Sequence, residues 1–187
     1  MNYHKIEKFS VANGEGIRVV LWVSGCSLHC KGCHNPQTWA FDSGKLFDET
    51  AKQELFEALD KPYIQGITFS GGHPLENENI DAIYELCLII KKNFPEKDIW
   101  LYTGYNLDAI LPLFQTMPRD TYIWNENTIL LGRIANIISL CDVVVDGPYI
   151  EEQRDITLPF CGSKNQRLID VKETLKQGQI VQYKINK

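Results

Sequence analysis

The sequence predicts an α/β protein with a mostly parallel sheet under helical cover, on three observations. Runs rich in β-branched and aromatic residues recur at strand length, helical apolar patterns separate them, and each run stops at a glycine or a small polar turn. Parallel neighbours need a crossover long enough to hold a helix, and this alternation supplies one each time.

In chain order, Met1 to Lys8 has no apolar core of signal-peptide length, and Phe9 to Gly16 reads as a loop closed by Asn13-Gly14-Glu15-Gly16. Ile17 to Val23 is the first strand and ends at Ser24-Gly25, so the cysteine-rich loop that follows leaves a strand's C-terminal end. Asp48 starts a helix with Ala51, Leu55 and Leu59 on one side, stopped by Pro62. Gly66 to Ser70 is the next strand, closed by Gly71-Gly72-His73-Pro74. Asn79 is the expected N-cap of a helix whose Ile80, Ile83, Cys87, Ile90 and Phe94 share a face. Asp98 to Thr103 is a third strand ending at Gly104.

Leu107, Ile110, Leu111 and Phe114 predict a short helix, Thr121 to Trp124 a brief strand, and Thr128 to Ser139 a helix with Leu131, Ile134 and Ile138 inward. Cys141 to Val145 is a strand running into Asp146-Gly147-Pro148, followed by a polar connection through Arg154 and Asp155 to Cys161 and on to Arg167. Leu168 to Val171 and Ile180 to Tyr183 form a final extended pair. No repeat, low-complexity tract or linker divides the chain, so one domain over residues 1–187 is expected. In parallel sheets ligands gather beyond the strand C-termini, where the cysteine loop, Gly71-Gly72, Thr103-Gly104 and Asp146-Gly147 all fall.

The 187 residues are 44% hydrophobic and 23% charged, ordinary for a globular domain able to bury its own core. A formal net charge of −5 argues against a nucleic-acid partner, and no window reaches the apolar length of a membrane span. A cytoplasmic protein is expected, with no nucleic acid and no membrane among its partners. In a reducing compartment the six cysteines are ligands, reactive thiols or small core residues rather than a disulfide framework.

Three of them, Cys26, Cys30 and Cys33, stand at Cys-x3-Cys-x2-Cys spacing in one loop. Such a set binds iron with sulfide or binds zinc. A closed zinc site wants four protein ligands, and His34 or His29 can complete one; an iron-sulfur cube held by three leaves one iron open. Cys87 and Cys141 read as core residues and Cys161 as a bystander thiol. Gly71-Gly72 alone reads as a tight turn and Asp146 alone as a loop-capping acid. His34 reads as loop packing, Asn35-Pro36 as a steric stop, and Arg18 as a salt-bridged strand residue.

Together, Cys-x3-Cys-x2-Cys after the first strand and Gly-Gly-x-Pro after the second resemble the radical S-adenosylmethionine (SAM) enzymes. Asn13 to Arg18, Cys33-His34-Asn35-Pro36, Tyr102 to Tyr105, Val145-Asp146-Gly147 and Gly162 to Gln166 narrow the resemblance to the activating proteins of anaerobic ribonucleotide reductases, glycyl-radical activases, from about Phe9 to Val171. Thr116 to Ile138 looks like extra sequence, and His73 stands where the family usually has Asp or Glu.

The resemblance implies a 4Fe-4S cluster on Cys26, Cys30 and Cys33 whose fourth iron is chelated by SAM. Reductive cleavage would give a 5′-deoxyadenosyl radical that takes hydrogen from a glycine of the partner reductase. It implies SAM contacts from Gly71, Gly72, His73, Thr103, Asp146, His34 and Asn35, with the glycines letting backbone carbonyls approach the methionine amino group, and an electron donor such as flavodoxin. A full (β/α)8 barrel needs about 250 residues, so the implied fold is a partial, open (β/α) barrel of the radical SAM type whose open side admits a polypeptide loop. Two other readings compete: a radical SAM enzyme acting on a small molecule, such as a deazapurine synthase, and a zinc-stabilised binding module.

Overall fold

The computed structural model describes residues 1–116 and 126–185. Its strands are β1 (Asn2–Ser10), β2 (Arg18–Val23), β3 (Lys45–Leu46), β4 (Gly66–Gly71), β5 (Asp98–Tyr102), β6 (Val143–Asp146) and β7 (Arg167–Asp170). Its helices are α1 (Glu49–Leu59), α2 (Asn77–Asn93), α3 (Leu111–Thr116), α4 (Glu126–Leu140) and α5 (Val171–Gln177). The strands form one mixed sheet in the order β3-β1-β2-β4-β5-β6-β7.

The α/β class holds, but the sheet corrects both the partial open barrel and the mostly parallel pairing expected from the sequence. Only β2–β4, β4–β5 and β5–β6 are parallel. β1 returns antiparallel on β2 and carries β3 on its far side, while β7 returns antiparallel on β6. These returns flank the parallel set on both sides, which leaves an open sheet with β3 and β7 as its edges.

Side chains alternate across the sheet with period two, and the two faces differ. Val19, Leu21 and Val23 of β2, Ile67 and Phe69 of β4, Ile99 and Leu101 of β5 and Val144 of β6 join Leu55, Ile83, Ile90, Ile134 and Ile138 of the helices in the main core. Trp100, Val143 and Val145 point the other way, into a smaller cluster covered by Phe160, Cys161 and Tyr183. On that second face Arg18 is fully buried. It bonds Thr68 Oγ1 at 2.9 Å and the Ile67 carbonyl at 2.8 Å, pairs with Asp98, and lies 5.1 Å over the Trp100 ring. Arg18 is therefore an internal strut, in keeping with its reading as a salt-bridged strand residue.

Asp48 caps α1, its carboxylate accepting the Ala51 N–H at 2.9 Å. Other local expectations shift. Glu76, not Asn79, occupies the N-cap of α2, because Asn79 is buried and donates to the Ser24 and His73 carbonyls. Leu131 faces outward on α4 while Ile134 and Ile138 are buried. The second half of the predicted terminal pair survives as a single bridge, Ile169 to Gln182, because Asp170 caps a helix, α5, directly after β7. The strand expected at Thr121 to Trp124 lies outside the described residues. No helix of the described residues is long and apolar enough to cross a membrane.

Candidate functional site

A cavity of about 390 Å³ opens on the second face, beyond the C-terminal ends of the parallel strands. Each strand of the parallel set contributes: Cys26, Cys30 and Cys33 after β2, Gly72 and His73 after β4, Thr103 after β5 and Gly147 after β6. The volume falls in the range of small-molecule sites, roughly 300–1,000 Å³.

The cysteine loop is built from its backbone outward. Gly25 and Cys26 donate their N–H groups to the Thr38 and Trp39 carbonyls, at 2.8 and 3.0 Å, which folds the loop back on itself. His29 takes a left-handed conformation (φ 44°) and rests its ring 4.7 Å from that of Trp39. Cys26 is buried, Cys30 and Cys33 are half-buried, and all three are free thiols. Burial pushes the Cys26 thiol up, partly offset by the backbone N–H groups of Leu28 and His29 that favour its thiolate. Cys33 Sγ accepts the Asn35 N–H at 3.3 Å. His34 and Asn35 both line the cavity; Asn35 reaches Cys33 through its N–H, and His34, exposed, packs 5.1 Å from the Tyr149 ring.

Gly71-Gly72 owes its composition to a close approach of two loops. Gly71 sits at φ +102°, and a Cβ on Gly72 would stand 2.5 Å from the Gly25 carbonyl oxygen. The Gly72 and His73 N–H groups donate to the Val23 and Gly25 carbonyls, at 2.8 and 2.7 Å. The glycines are therefore required by docking against the start of the cysteine loop.

His73 is 2% exposed and held on three sides. Nε2 lies 2.8 Å from Thr103 Oγ1, Nδ1 lies 3.3 Å from Glu76 Oε1, and the Tyr105 ring meets it edge-on at 4.4 Å. Glu76 Oε1 also accepts the backbone N–H and the hydroxyl of Ser27, at 2.8 and 2.7 Å. These bonds, His73 first, lower the Glu76 carboxyl to about 2. Sequence reasoning missed Glu76, although its spacing of three from His73 at a helix start was visible.

Asp146 is brought to the same edge but differently used. It is fully buried, accepting Leu107 N–H at 2.9 Å and a forked pair from Arg167 at 3.0 and 2.5 Å, and it is not among the described cavity-lining residues. In the Gly162 to Gln166 segment, Asn165 and Gln166 donate to the Pro148 and Gly147 carbonyls and shape the turn after β6. Cys161, set aside in the sequence, is a fourth thiol lining the cavity, pushed up to about 11 mainly by burial. Among the described residues no three His, Cys, Asp or Glu side chains are gathered around a single ion position.

A family described as a 4Fe-4S single cluster domain matches residues 12–169, which takes in the cysteine loop and every strand end that lines the cavity. The anaerobic ribonucleoside-triphosphate reductase-activating protein of Haemophilus influenzae is 37% identical over 168 residues, covering 89% of this chain and 96% of that protein. Those of Enterobacteria phage T4 and Escherichia coli K12 are 39% and 34% identical, over 93% and 96% of their lengths. The chain belongs to this family of activating proteins.

For the family's iron-sulfur group the donor set fits. Three free thiols border one cavity, and Asn35 already supplies an N–H to sulfur of the kind that stabilises a bound thiolate. Trp39 also lines this cavity, and its buried indole N–H has no protein partner, a donor that a sulfide-rich guest would satisfy.

Proposed function

We propose that this chain is a radical SAM activase that generates a glycyl radical on an anaerobic ribonucleotide reductase. The observation that carries the reading is the convergence of three free thiols, the Gly71-Gly72 loop, His73 and Thr103 on one cavity at the ends of parallel strands. The relatives' names supply the partner.

Cys26, Cys30 and Cys33 would hold a 4Fe-4S cluster, which supplies the low-potential electron that cleaves the SAM sulfonium bond. The chain's own residues bind and orient. Gly71, Gly72 and Thr103 edge the cavity beside His73, while Trp22, Tyr102 and Phe160 give it apolar walls. Of the remaining residues that the resemblance suggested as SAM contacts, His34 and Asn35 line the cavity, Asn35 also holding Cys33 through its N–H, while Asp146 ties Leu107 and Arg167 to the end of β6. The proposal includes a single domain, a cytoplasmic setting and an electron donor such as flavodoxin.

The test is anaerobic reconstitution with iron and sulfide, then incubation with SAM, a reductant and the candidate reductase. A brown protein that releases 5′-deoxyadenosine and leaves a glycyl doublet in the electron paramagnetic resonance spectrum of the reductase is expected. Cys26→Ala, Cys30→Ala and Cys33→Ala should each abolish cluster uptake and SAM cleavage, whereas Cys161→Ala should keep the cluster. Retained cleavage in any of the first three sinks the assignment.

A further inference from the structure

Glu76 is 8% exposed, and among the described residues it has no Lys or Arg partner. Its hydrogen-bond donors are Ser27 and His73. Three donors hold the carboxylate in its ionised form, yet none of them is a permanent cation, so its negative charge remains available to a cation that arrives nearby. The route is short. An ionised carboxylate only accepts, so Nδ1 of His73 carries the proton; in the neutral ring Nε2 is then a bare acceptor, at present serving the Thr103 hydroxyl. That hydroxyl in turn accepts the Tyr105 N–H at 3.1 Å, which leaves its own proton for Nε2 in this tautomer. Both His73 and Thr103 line the cavity.

We infer that Glu76 is a positioning residue: acting through His73, it makes the β4 side of the cavity an acceptor for a ligand's ammonium group, and through Ser27 it fixes that acceptor to the cysteine loop. The ammonium in question is the amino group of SAM, so the inference rests on the proposed function. On binding, His73 Nε2 would exchange the Thr103 hydroxyl for the cationic N–H donor, with the Glu76 charge one ring behind it.

The test is calorimetric titration of the anaerobically reconstituted protein with SAM and with the analogue whose amino group is replaced by hydrogen. The parent should prefer SAM, and Glu76→Gln should weaken SAM by about tenfold or more, the scale of a charge-assisted hydrogen bond, while leaving the analogue unchanged. In a His73→Asp background, where a carboxylate faces the cavity directly, Glu76→Gln should cost less than about threefold. Equal losses in both backgrounds, or equal losses for both ligands, would mean that Glu76 only anchors Ser27, and would overturn the inference. Nitrogen-15 shifts of the His73 ring in the reconstituted parent give a check independent of any Glu76 variant: Nδ1 protonated with Nε2 bare is expected, and the opposite tautomer overturns it. A parent that carries the cluster but binds neither ligand overturns the reading of the cavity itself; one that binds both equally overturns this inference alone.

Discussion

Two buried acids sit at the same edge of the sheet, Glu76 at the start of the helix after β4 and Asp146 at the end of β6, and they have opposite fates. Asp146 is closed off by Arg167, a full-charge partner with two bonds in a fork, and by the Leu107 amide. Glu76 is met by an amide, a hydroxyl and an imidazole, none of them a permanent cation. The comparison teaches that an acid beside the strand ends is a structural brace when its counter-charge is built in, and remains available to a guest when it is not.

Breaking the built-in pair should have the larger effect. Arg167→Ala leaves Asp146 buried with one amide donor, and a loss of about 3–5 kcal/mol is expected in urea unfolding at neutral pH. Arg167→Lys should recover part of that, since a point charge cannot reproduce the fork. A loss under about 1 kcal/mol would show that the pair contributes little and that the contrast with Glu76 is empty.

Glu76→Gln should cost about 2 kcal/mol at neutral pH, the scale of hydrogen bonds to a charged group. Its pH dependence sharpens the contrast. The folded-state value of about 2 lies below the ordinary 4.5, so the carboxylate's contribution is complete above about 4.5 and is lost as pH falls from there toward 2. The stability gap between parent and Glu76→Gln should close over that acid window; a gap constant from pH 6 to pH 3 would contradict it. Smallest of all is Asp108→Asn. Asp108 is exposed and shares a terminal nitrogen of Arg167 with Asp146, at 2.6 Å, so less than about 1 kcal/mol is expected, and less again at high salt.

The parallel strands were legible because they are buried on both faces and so read as near-continuous apolar runs, Val19 to Val23 and Val143 to Val145 among them. β1 was not, because Lys5, Glu7 and Lys8 interrupt it and only Tyr3 and Ser10 are buried. The cysteine ladder and the glycine pair were visible as motifs, yet the reason for the glycines was not, since it lies in the approach of Gly72 to Gly25. Asp146 could be placed at the sheet edge from its strand, but its partner Arg167 comes from an antiparallel return that no local pattern announces. That return and the one of β1 on β2 leave an open sheet where a barrel was expected. The link from Glu76 to the cysteine loop was hidden for a related reason: its bonds to Ser27 span 49 positions in the chain.

The cavity draws its lining from residues as far apart as Ala12 and Gln166, with the thiol ladder near the beginning and the Phe160 to Gly162 wall near the end. At roughly 5–20 residues per second, Cys26, Cys30 and Cys33 leave the ribosome on the order of ten seconds before that wall exists. For that interval the three thiols stand without the Phe160 to Gly162 wall of the cavity they line. The cavity is thus complete only once its Phe160 to Gly162 wall has been made, well after the thiols that line it.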